Sequence, residues 1–137
     1  MQTLRCLASA AMLASIFSSD PSRSDEVKTD VQSLYSSCKG PRDLTDAAFC
    51  AGFIAGLGSQ MRMTAEFARV AREHGGLADD NTRRLVSVLS VCGEQTFGQM
   101  VSVFIKWVEK HPEKRDLDRT FGLEEALREA WPCGMKN

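Results

Sequence analysis

The chain has 137 residues, of which 43% are hydrophobic and 26% are charged, a composition typical of one folded domain. Lys and Arg together number 17 against 18 acidic residues, so the formal net charge is -1 and no basic surface for general nucleic-acid binding is indicated. These values exclude a multidomain enzyme and a chain that is disordered throughout.

The N-terminus has the layout of a secretory signal peptide. Arg5 supplies a positive charge, residues 6–17 form an apolar run shorter than the roughly 20 residues that span a bilayer, and Ser18 follows. We expect residues 1–18 to be the signal peptide, cleaved after Ser18 or a few residues later, residues 19–24 to be a flexible mature terminus, and residues 25–137 to form one helical domain. A buried N-terminal helix is the alternative interpretation. After cleavage, no stable membrane insertion is expected.

Export changes the expected state of the cysteines. Removal of the leader deletes Cys6 and leaves an even number of cysteines: Cys38, Cys50, Cys92 and Cys133. In an oxidising compartment this count predicts two disulfides.

The first predicted helix has apolar residues on a 3.6-residue period and acidic residues in its first turn, where the helix dipole favours anions. Lys39, Gly40 and Pro41 end it. Its apolar stripe is Val27, Val31, Leu34, Tyr35 and Cys38, and its first-turn acids are Asp25 and Glu26.

The second predicted helix is capped by Asp43 or Thr45 and has Phe49, Phe53 and Leu57 at every fourth position. A separate ridge of small residues predicts close packing against another helix, because glycine in a helix costs about 1 kcal/mol relative to alanine. The ridge consists of Ala48, Gly52 and Gly56. Gly58 is expected to kink or end this helix, residues 61–73 continue as helix, and His74, Gly75 and Gly76 terminate it.

Residues 75–84 are predicted to form a polar loop. The following run, residues 85–92, fits a short strand by its β-branched residues, and it fits a helix because Leu85, Val88, Leu89 and Cys92 share one helical face. Both interpretations stay open at this point, with the helix favoured.

Thr96 and Gln99 have the spacing of a capping box, and the helix that follows is apolar on several faces, which predicts a central position. Lys110, His111 and Pro112 end it. A final helix from about Asp118 carries apolar residues and ends before residue 132: Leu123, Leu127, Ala130 and Trp131. The fold class expected is all-α, a compact bundle of about four to five helices stapled by two disulfides.

Four cysteines permit three pairings, among which the predicted helix order gives a preference. Cys38 ends the first helix and Cys50 lies near the start of the second, so an antiparallel turn brings them together. Cys92 precedes the capped helix and Cys133 follows the last one. We therefore favour Cys38 with Cys50 and Cys92 with Cys133.

The sequence contains no pattern that indicates catalysis or a cofactor. Its two histidines, His74 and His111, both fall at predicted helix C-termini, where imidazole interacts favourably with the helix dipole. The cysteines lack the close spacing of a zinc site, and no glycine-rich phosphate loop is present. We expect a protein that is not an enzyme and that needs no cofactor or metal.

Several segments taken in order resemble the Tai family, the type VI secretion amidase immunity proteins. The segments are Phe49-Cys50-Ala51-Gly52-Phe53-Ile54-Ala55-Gly56, then Cys92, the Gln99 helix ending in His111-Pro112-Glu113, and Ala126-Leu127-Arg128-Glu129-Ala130-Trp131-Pro132-Cys133. The resemblance covers about residues 34 to 133. It implies a periplasmic, mostly helical homodimer that binds a papain-like peptidoglycan amidase effector and blocks its cleft, with the cysteines and glycines as scaffold.

Surface loops carry recognition in many proteins, so residues 75–84 are the predicted contact region, with four polar residues placed against the toxin cleft: Asp79, Asp80, Asn81 and Arg83. The alternative function is a periplasmic helical binding protein without a toxin partner, for another envelope protein or for a small apolar ligand. The ligand would occupy a cavity lined by some of Phe53, Phe97, Phe104 and Trp107.

Overall fold

The computed structural model describes residues 28–76 and 79–133, and over these ranges the chain is an all-α bundle. The five helices are α1 (Val31–Lys39), α2 (Leu44–Glu73), α3 (Asp80–Val88), α4 (Phe97–Lys110) and α5 (Arg119–Ala130), with a 3₁₀ turn at Pro112–Lys114 between the last two. The predicted signal peptide, the flexible terminus, Val27 and the acids Asp25 and Glu26 lie outside the described residues.

The helix α1 begins later than the sequence pattern predicts. Asp30 is its N-cap, and the Asp30 carboxylate accepts a hydrogen bond of 2.7 Å from the Ser33 amide. The same end is tied to the start of α5, because the Val31 amide donates to the Leu117 carbonyl and the Arg119 amide donates to the Thr29 carbonyl, both at 2.8 Å. These two hydrogen bonds hold the N-termini of α1 and α5 side by side.

The helix α2 continues through Gly58 as one 30-residue helix. Of the two outcomes expected at Gly58, a kink or an end of the helix, the end is therefore wrong. Asp43 caps it by accepting from the Asp46 amide at 2.9 Å. It ends where predicted, at His74, with Gly75 at φ +72°. Gly58 is buried, and a side-chain carbon added there would overlap Met100 of α4. Gly58 therefore permits α2 and α4 to pack closely, and it causes no break.

The core lies between α1, α2, α4 and α5, and its fully buried side chains come from all four helices. The helix α4, predicted to be central, packs against α1, α2 and α5, and each of these three helices also packs against the other two. Its Thr96 capping box is present, with the Thr96 amide 2.7 Å from Gln99 Oε1. The core residues at 1% exposure or less include Val31, Leu34, Ile54, Met61, Phe104, Val108, Leu123 and Leu127.

Both favoured disulfides are confirmed. Cys38 joins Cys50 with Cα atoms 5.2 Å apart, and Cys92 joins Cys133 with Cα atoms 4.9 Å apart. The first bond links the end of α1 to the first turns of α2. The second links the segment before α4 to the residues after α5, so the two bonds act on different parts of the fold.

The small-residue ridge has no neighbour within the described chain. Ala48, Gly52 and Gly56 are all exposed, and a carbon added to either glycine would meet nothing within 4 Å. The close neighbour expected for this ridge is therefore not another helix of the described chain. Close approach occurs instead at Gly58 and at Gly122, where an added carbon would overlap Val31.

Candidate interaction surface

The helix α3 is where the structure departs most from the sequence prediction. Residues 80–84 belong to the first turns of α3, so the predicted polar loop is shorter than residues 75–84. Asp79 is the N-cap, and its carboxylate accepts a hydrogen bond of 2.8 Å from the Thr82 amide. The strand interpretation of residues 85–92 is wrong, since α3 continues to Val88 and residues 90–96 form neither helix nor strand.

Two of the three apolar residues of α3, Leu85 and Val88, point away from the core, whereas the third, Val86, lines the groove against α2. Leu85 is 60% exposed and Val88 is 47% exposed, and α3 contains no buried residue. At about 100° per residue, Asn81 and Arg84 lie on the same side of the helix as this pair. We call the surface formed by these residues and the helix start the α3 outer surface: Asp79, Asp80, Asn81, Arg84, Leu85 and Val88.

The opposite side of α3 rests on α2. A shallow groove between the two helices is lined from α3 by Arg83, Val86 and Ser87, from α2 by small residues and Arg72, and at one end by Ser90 and the Cys92–Cys133 disulfide. Because one side of α3 contacts α2, the outer surface faces away from the bundle. A helix that presents two exposed apolar side chains away from the bundle has a surface suited to binding another protein.

The C-terminal end of α3 is firmly anchored. The Arg128 guanidinium of α5 donates a hydrogen bond of 2.9 Å to the Val88 carbonyl, and the Cys92 amide donates one of 3.2 Å to the Trp131 carbonyl. Ser90 is buried, and its hydroxyl donates 2.5 Å to the Val86 carbonyl. Together with the Cys92–Cys133 disulfide, these bonds fix the direction of α3 relative to α5, which limits the entropy lost when a partner binds.

The four predicted contact residues do not all lie on one surface of α3. Asn81 lies on the same side of α3 as Leu85, and Asp79 and Asp80 are exposed at the N-terminal end of the helix. Arg83 faces the groove, and its guanidinium is 3.3 Å from the Asp80 carboxylate. Hydrogen bonding to the Thr82 side chain, and then to the Thr82 amide, lowers the pKa of the Asp79 carboxyl. Asp79 therefore carries its negative charge throughout the neutral pH range and strengthens the start of α3.

Sequence reasoning missed three residues of this surface: Arg84, Leu85 and Val88. The helical spacing of Leu85 and Val88 was recognised, but an apolar face at that spacing is usually buried. The signal that could have indicated their exposure is the short length of the segment between Asp79 and Cys92, which leaves room for only a short helix.

The described residues offer no other site with evident chemistry. All four described cysteines are in disulfides, and no group of three or more His, Cys, Asp or Glu in residues 28–76 and 79–133 could hold a metal ion. His74 and His111 occupy the C-terminal caps of α2 and α4, as predicted. His111 stacks on Trp107 with ring centroids 5.1 Å apart.

The apolar-ligand alternative finds no support in the aromatic residues proposed for it. Phe104 and Trp107 are buried within the packed core, and Phe97 is 42% exposed at the start of α4. Phe53 is partly covered by Arg119, whose guanidinium lies 5.1 Å from the ring centroid. None of the four lines the groove beside α3.

A sequence model of the Rap1a immunity proteins matches residues 30–133. The chain belongs to this family. The match spans all five helices and both disulfides, so the Rap1a family assignment applies to the whole described domain. No curated protein and no solved structure gives a significant match.

The Rap1a family is a family of type VI secretion immunity proteins, so the broader part of the sequence prediction is confirmed. Immunity proteins bind effector toxins, and this family is a family of immunity proteins and not of enzymes. The matched family carries a different name from the Tai family that the sequence resembles, and the amidase target therefore remains a prediction. Over the residues that the structure describes, no helix combines the length and the hydropathy needed to cross a membrane.

Proposed function

We propose that this protein is a periplasmic immunity protein that binds a papain-like peptidoglycan amidase of a type VI secretion system and blocks its active-site cleft. The family match supports an immunity role, and the Tai resemblance supports the amidase target. The signal-peptide pattern of residues 1–18 and the two disulfides support export to the periplasm. In this proposal the protein acts without turnover and without a cofactor.

The α3 outer surface is the part of the molecule that we assign to toxin binding, and its exposed apolar pair is the observation that carries the assignment. Leu85 and Val88 provide exposed apolar surface, and its burial against a partner would contribute favourably to the free energy of binding. Asp79, Asp80 and Asn81 lie at the N-terminal end of the same surface and supply hydrogen-bonding groups for the polar lining of a cleft.

The geometry suits steric inhibition because α3 projects its side chains from a fixed support. Its C-terminal end is held by Arg128 and by the Cys92–Cys133 disulfide, so the helix does not have to fold on binding. A rigid helix that enters a cleft excludes the substrate and loses little conformational entropy.

The biological test is co-expression in the periplasm. A candidate papain-like peptidoglycan amidase is produced with the wild-type protein, with Leu85→Glu or with no partner, and lysis is followed by culture density. We expect lysis without the protein, survival with the wild type, and lysis with Leu85→Glu. Equal lysis in all three cultures would overturn the immunity assignment for that toxin.

The binding test uses purified proteins and isothermal titration calorimetry. Leu85→Glu and Val88→Glu each place a charge within the proposed apolar contact, and we expect each to weaken binding more than about tenfold, or about 1.4 kcal/mol. Leu44→Glu is the matched control, because Leu44 is 84% exposed at the opposite end of α2. Equal affinities for all three variants would remove α3 from the interface.

The acidic residues at the start of α3 require a separate control. Charge reversal at Asp79 and Asp80 is expected to weaken toxin binding more than about tenfold. Asp79→Asn keeps an N-cap acceptor and therefore separates loss of charge from loss of helix capping. If the reversed variant binds like the wild type, the acidic contact is wrong.

A further inference from the structure

The two disulfides differ in how easily a second molecule can reach them. Cys50 is 5% exposed and belongs to the core, and Cys38 packs against that core. Cys92 is exposed, Cys133 is half-buried, and both line the groove between α2 and α3. Exchange between a thiol and a disulfide requires the attacking sulfur to reach one of the two bonded sulfurs. The Cys92–Cys133 bond is therefore the more accessible of the two.

The charge of the groove favours exchange at the same bond. Arg72 of α2 and Arg83 of α3 line the groove together with the two cysteines, and none of the described residues that line it is acidic. The Asp80 carboxylate, 3.3 Å from the Arg83 guanidinium, offsets part of this positive charge. Cations near a disulfide stabilise the thiolate that leaves when the bond is broken. The groove therefore admits a thiol and also favours the departure of the thiolate.

The Cys92–Cys133 bond holds the C-terminal end of α3. The hydrogen bonds from Arg128 to the Val88 carbonyl and from the Cys92 amide to the Trp131 carbonyl act at the same end. Because α3 contains no buried residue, no packed side chain resists its separation from the bundle once the disulfide is open. Reduction of this bond therefore leaves α3 held by hydrogen bonds and by its contact with α2.

The Cys38–Cys50 bond joins two helices that remain packed without it. The helices α1 and α2 contact each other and contribute Leu34 and Ile54 to the core, where both side chains are fully buried. Opening of this bond removes a crosslink and leaves that packing in place. The two disulfides therefore have different consequences when reduced, because only one of them fixes an element that lacks a core of its own.

We propose that the Cys92–Cys133 disulfide is a redox switch that a protein dithiol operates through the groove. One thiolate of the reductant attacks one sulfur of the bond, which breaks to give a mixed disulfide and the thiolate of the other cysteine. The second thiolate of the reductant then attacks the mixed disulfide and releases the remaining cysteine. Two electrons pass to this chain, the two cysteines take up the protons that the reductant's thiols lose, and the reductant leaves as a disulfide. The C-terminal end of α3 is then free, while the bundle of α1, α2, α4 and α5 stays folded.

The consequence for toxin binding rests on the proposed function, in which the α3 outer surface contacts the toxin. The reduced protein should bind the amidase at least about tenfold more weakly by calorimetry, because α3 must be ordered again on binding. Equal affinity of the reduced and oxidised forms contradicts this consequence. If the oxidised form does not bind, the proposed function is wrong, whereas the order of reduction and the release of α3 are measured without a toxin.

The first test measures the order in which the two disulfides are reduced. The purified oxidised protein is mixed with dithiothreitol under native conditions, free thiols are alkylated at intervals with iodoacetamide, and the modified cysteines are identified by mass spectrometry. The cysteines at 38, 50, 92 and 133 fall in four different tryptic peptides, so each is followed separately. We expect Cys92 and Cys133 to be alkylated at least about tenfold sooner than Cys38 and Cys50. Equal rates, which global unfolding would produce, overturn the proposal.

A neutral substitution in the groove tests the part played by its charge. Arg72→Gln should slow the reduction of Cys92–Cys133 at least about threefold, because the leaving thiolate loses a nearby cation. Arg69→Gln is the matched control, since Arg69 is exposed one turn away on α2 and does not line the groove. An unchanged rate for Arg72→Gln, or equal slowing by both variants, contradicts the role assigned to the groove.

Amide hydrogen exchange tests the release of α3. At a dithiothreitol concentration that reduces Cys92–Cys133 alone, exchange in α3 should rise at least about tenfold while exchange in α4 stays unchanged. Cys38→Ala with Cys50→Ala keeps the groove disulfide and should show the same response. Cys92→Ala with Cys133→Ala should exchange rapidly in α3 with or without the reductant. No rise in α3, or an equal rise in α4, overturns the proposal.

Discussion

The bundle of α1, α2, α4 and α5 differs from α3 in what its apolar residues contact. In the bundle, Leu34 and Phe104 are completely buried against neighbouring helices. In α3, Leu85 and Val88 are about half exposed, and the helix is held at its C-terminal end and on one side only. The comparison shows that the bundle residues act in stability, whereas the outer residues of α3 are available for recognition.

The largest expected difference between the two regions is the effect of removing an apolar side chain. Phe104→Ala should lower the free energy of unfolding by about 3 to 5 kcal/mol, because it leaves a cavity in the core. Leu85→Ala should change it by less than about 0.5 kcal/mol, because Leu85 is mostly in contact with water. Urea denaturation measures both values. Similar losses would show that α3 is part of the core.

Removal of each disulfide sharpens the comparison. Cys38→Ala with Cys50→Ala, or Cys92→Ala with Cys133→Ala, should each lower stability by about 3 to 4 kcal/mol through the greater freedom of the unfolded chain. Only the second pair of changes releases the anchored end of α3. Amide hydrogen exchange should then rise in α3 relative to α4. An equal rise in both helices would contradict the assigned role of this disulfide.

Two glycine substitutions should have opposite signs. Gly122→Ala should lower stability by about 1 to 3 kcal/mol, because the added carbon overlaps the side chain of Val31. Gly56→Ala should raise monomer stability by about 0.5 to 1 kcal/mol, because alanine favours the helix and space is available. Thermal unfolding at low protein concentration tests the pair. Destabilisation by Gly56→Ala would indicate a contact above that residue within the monomer.

The smallest expected effect is the pH dependence of α3. The hydrogen bonds that the Asp79 carboxylate accepts from Thr82 hold its pKa below the ordinary value of 3.8, so Asp79 binds a proton less readily in the folded form than in the unfolded form. The contribution of Asp79 is therefore complete above this value and is lost as the pH falls through the lowered pKa. Hydrogen exchange in α3 should rise in acid more than exchange in α4. Asp79→Asn should remove most of this difference, because asparagine caps without titrating.

The sequence was a good guide where a local signal was sufficient. The Thr96 and Gln99 capping box placed the start of α4, and His74 with two glycines placed the end of α2, because caps act within a few residues. The pairing of Cys38 with Cys50 followed from the short connection between α1 and α2. The pairing of Cys92 with Cys133, which are 41 residues apart, followed from the expected order of the helices in the bundle.

Sequence reasoning failed where the outcome depended on residues distant in the chain. Gly52 and Gly58 lie in the same helix, and propensity alone does not distinguish them. Gly58 is opposite Met100 and is buried, whereas Gly52 faces away from the bundle. The position of Leu85 was unpredictable for the same reason, since Arg128 and the link to Cys133 set the direction of α3.

The sequence by itself therefore determined the helical class and most helix ends, and it favoured the pairing of Cys38 with Cys50, because periodicity, capping and short connections are local properties. The tertiary structure decided which faces stay exposed, since burial depends on the elements that pack against each helix. That decision leaves Leu85 and Val88 of α3 exposed, and the proposed toxin contact of this immunity-family protein depends on them.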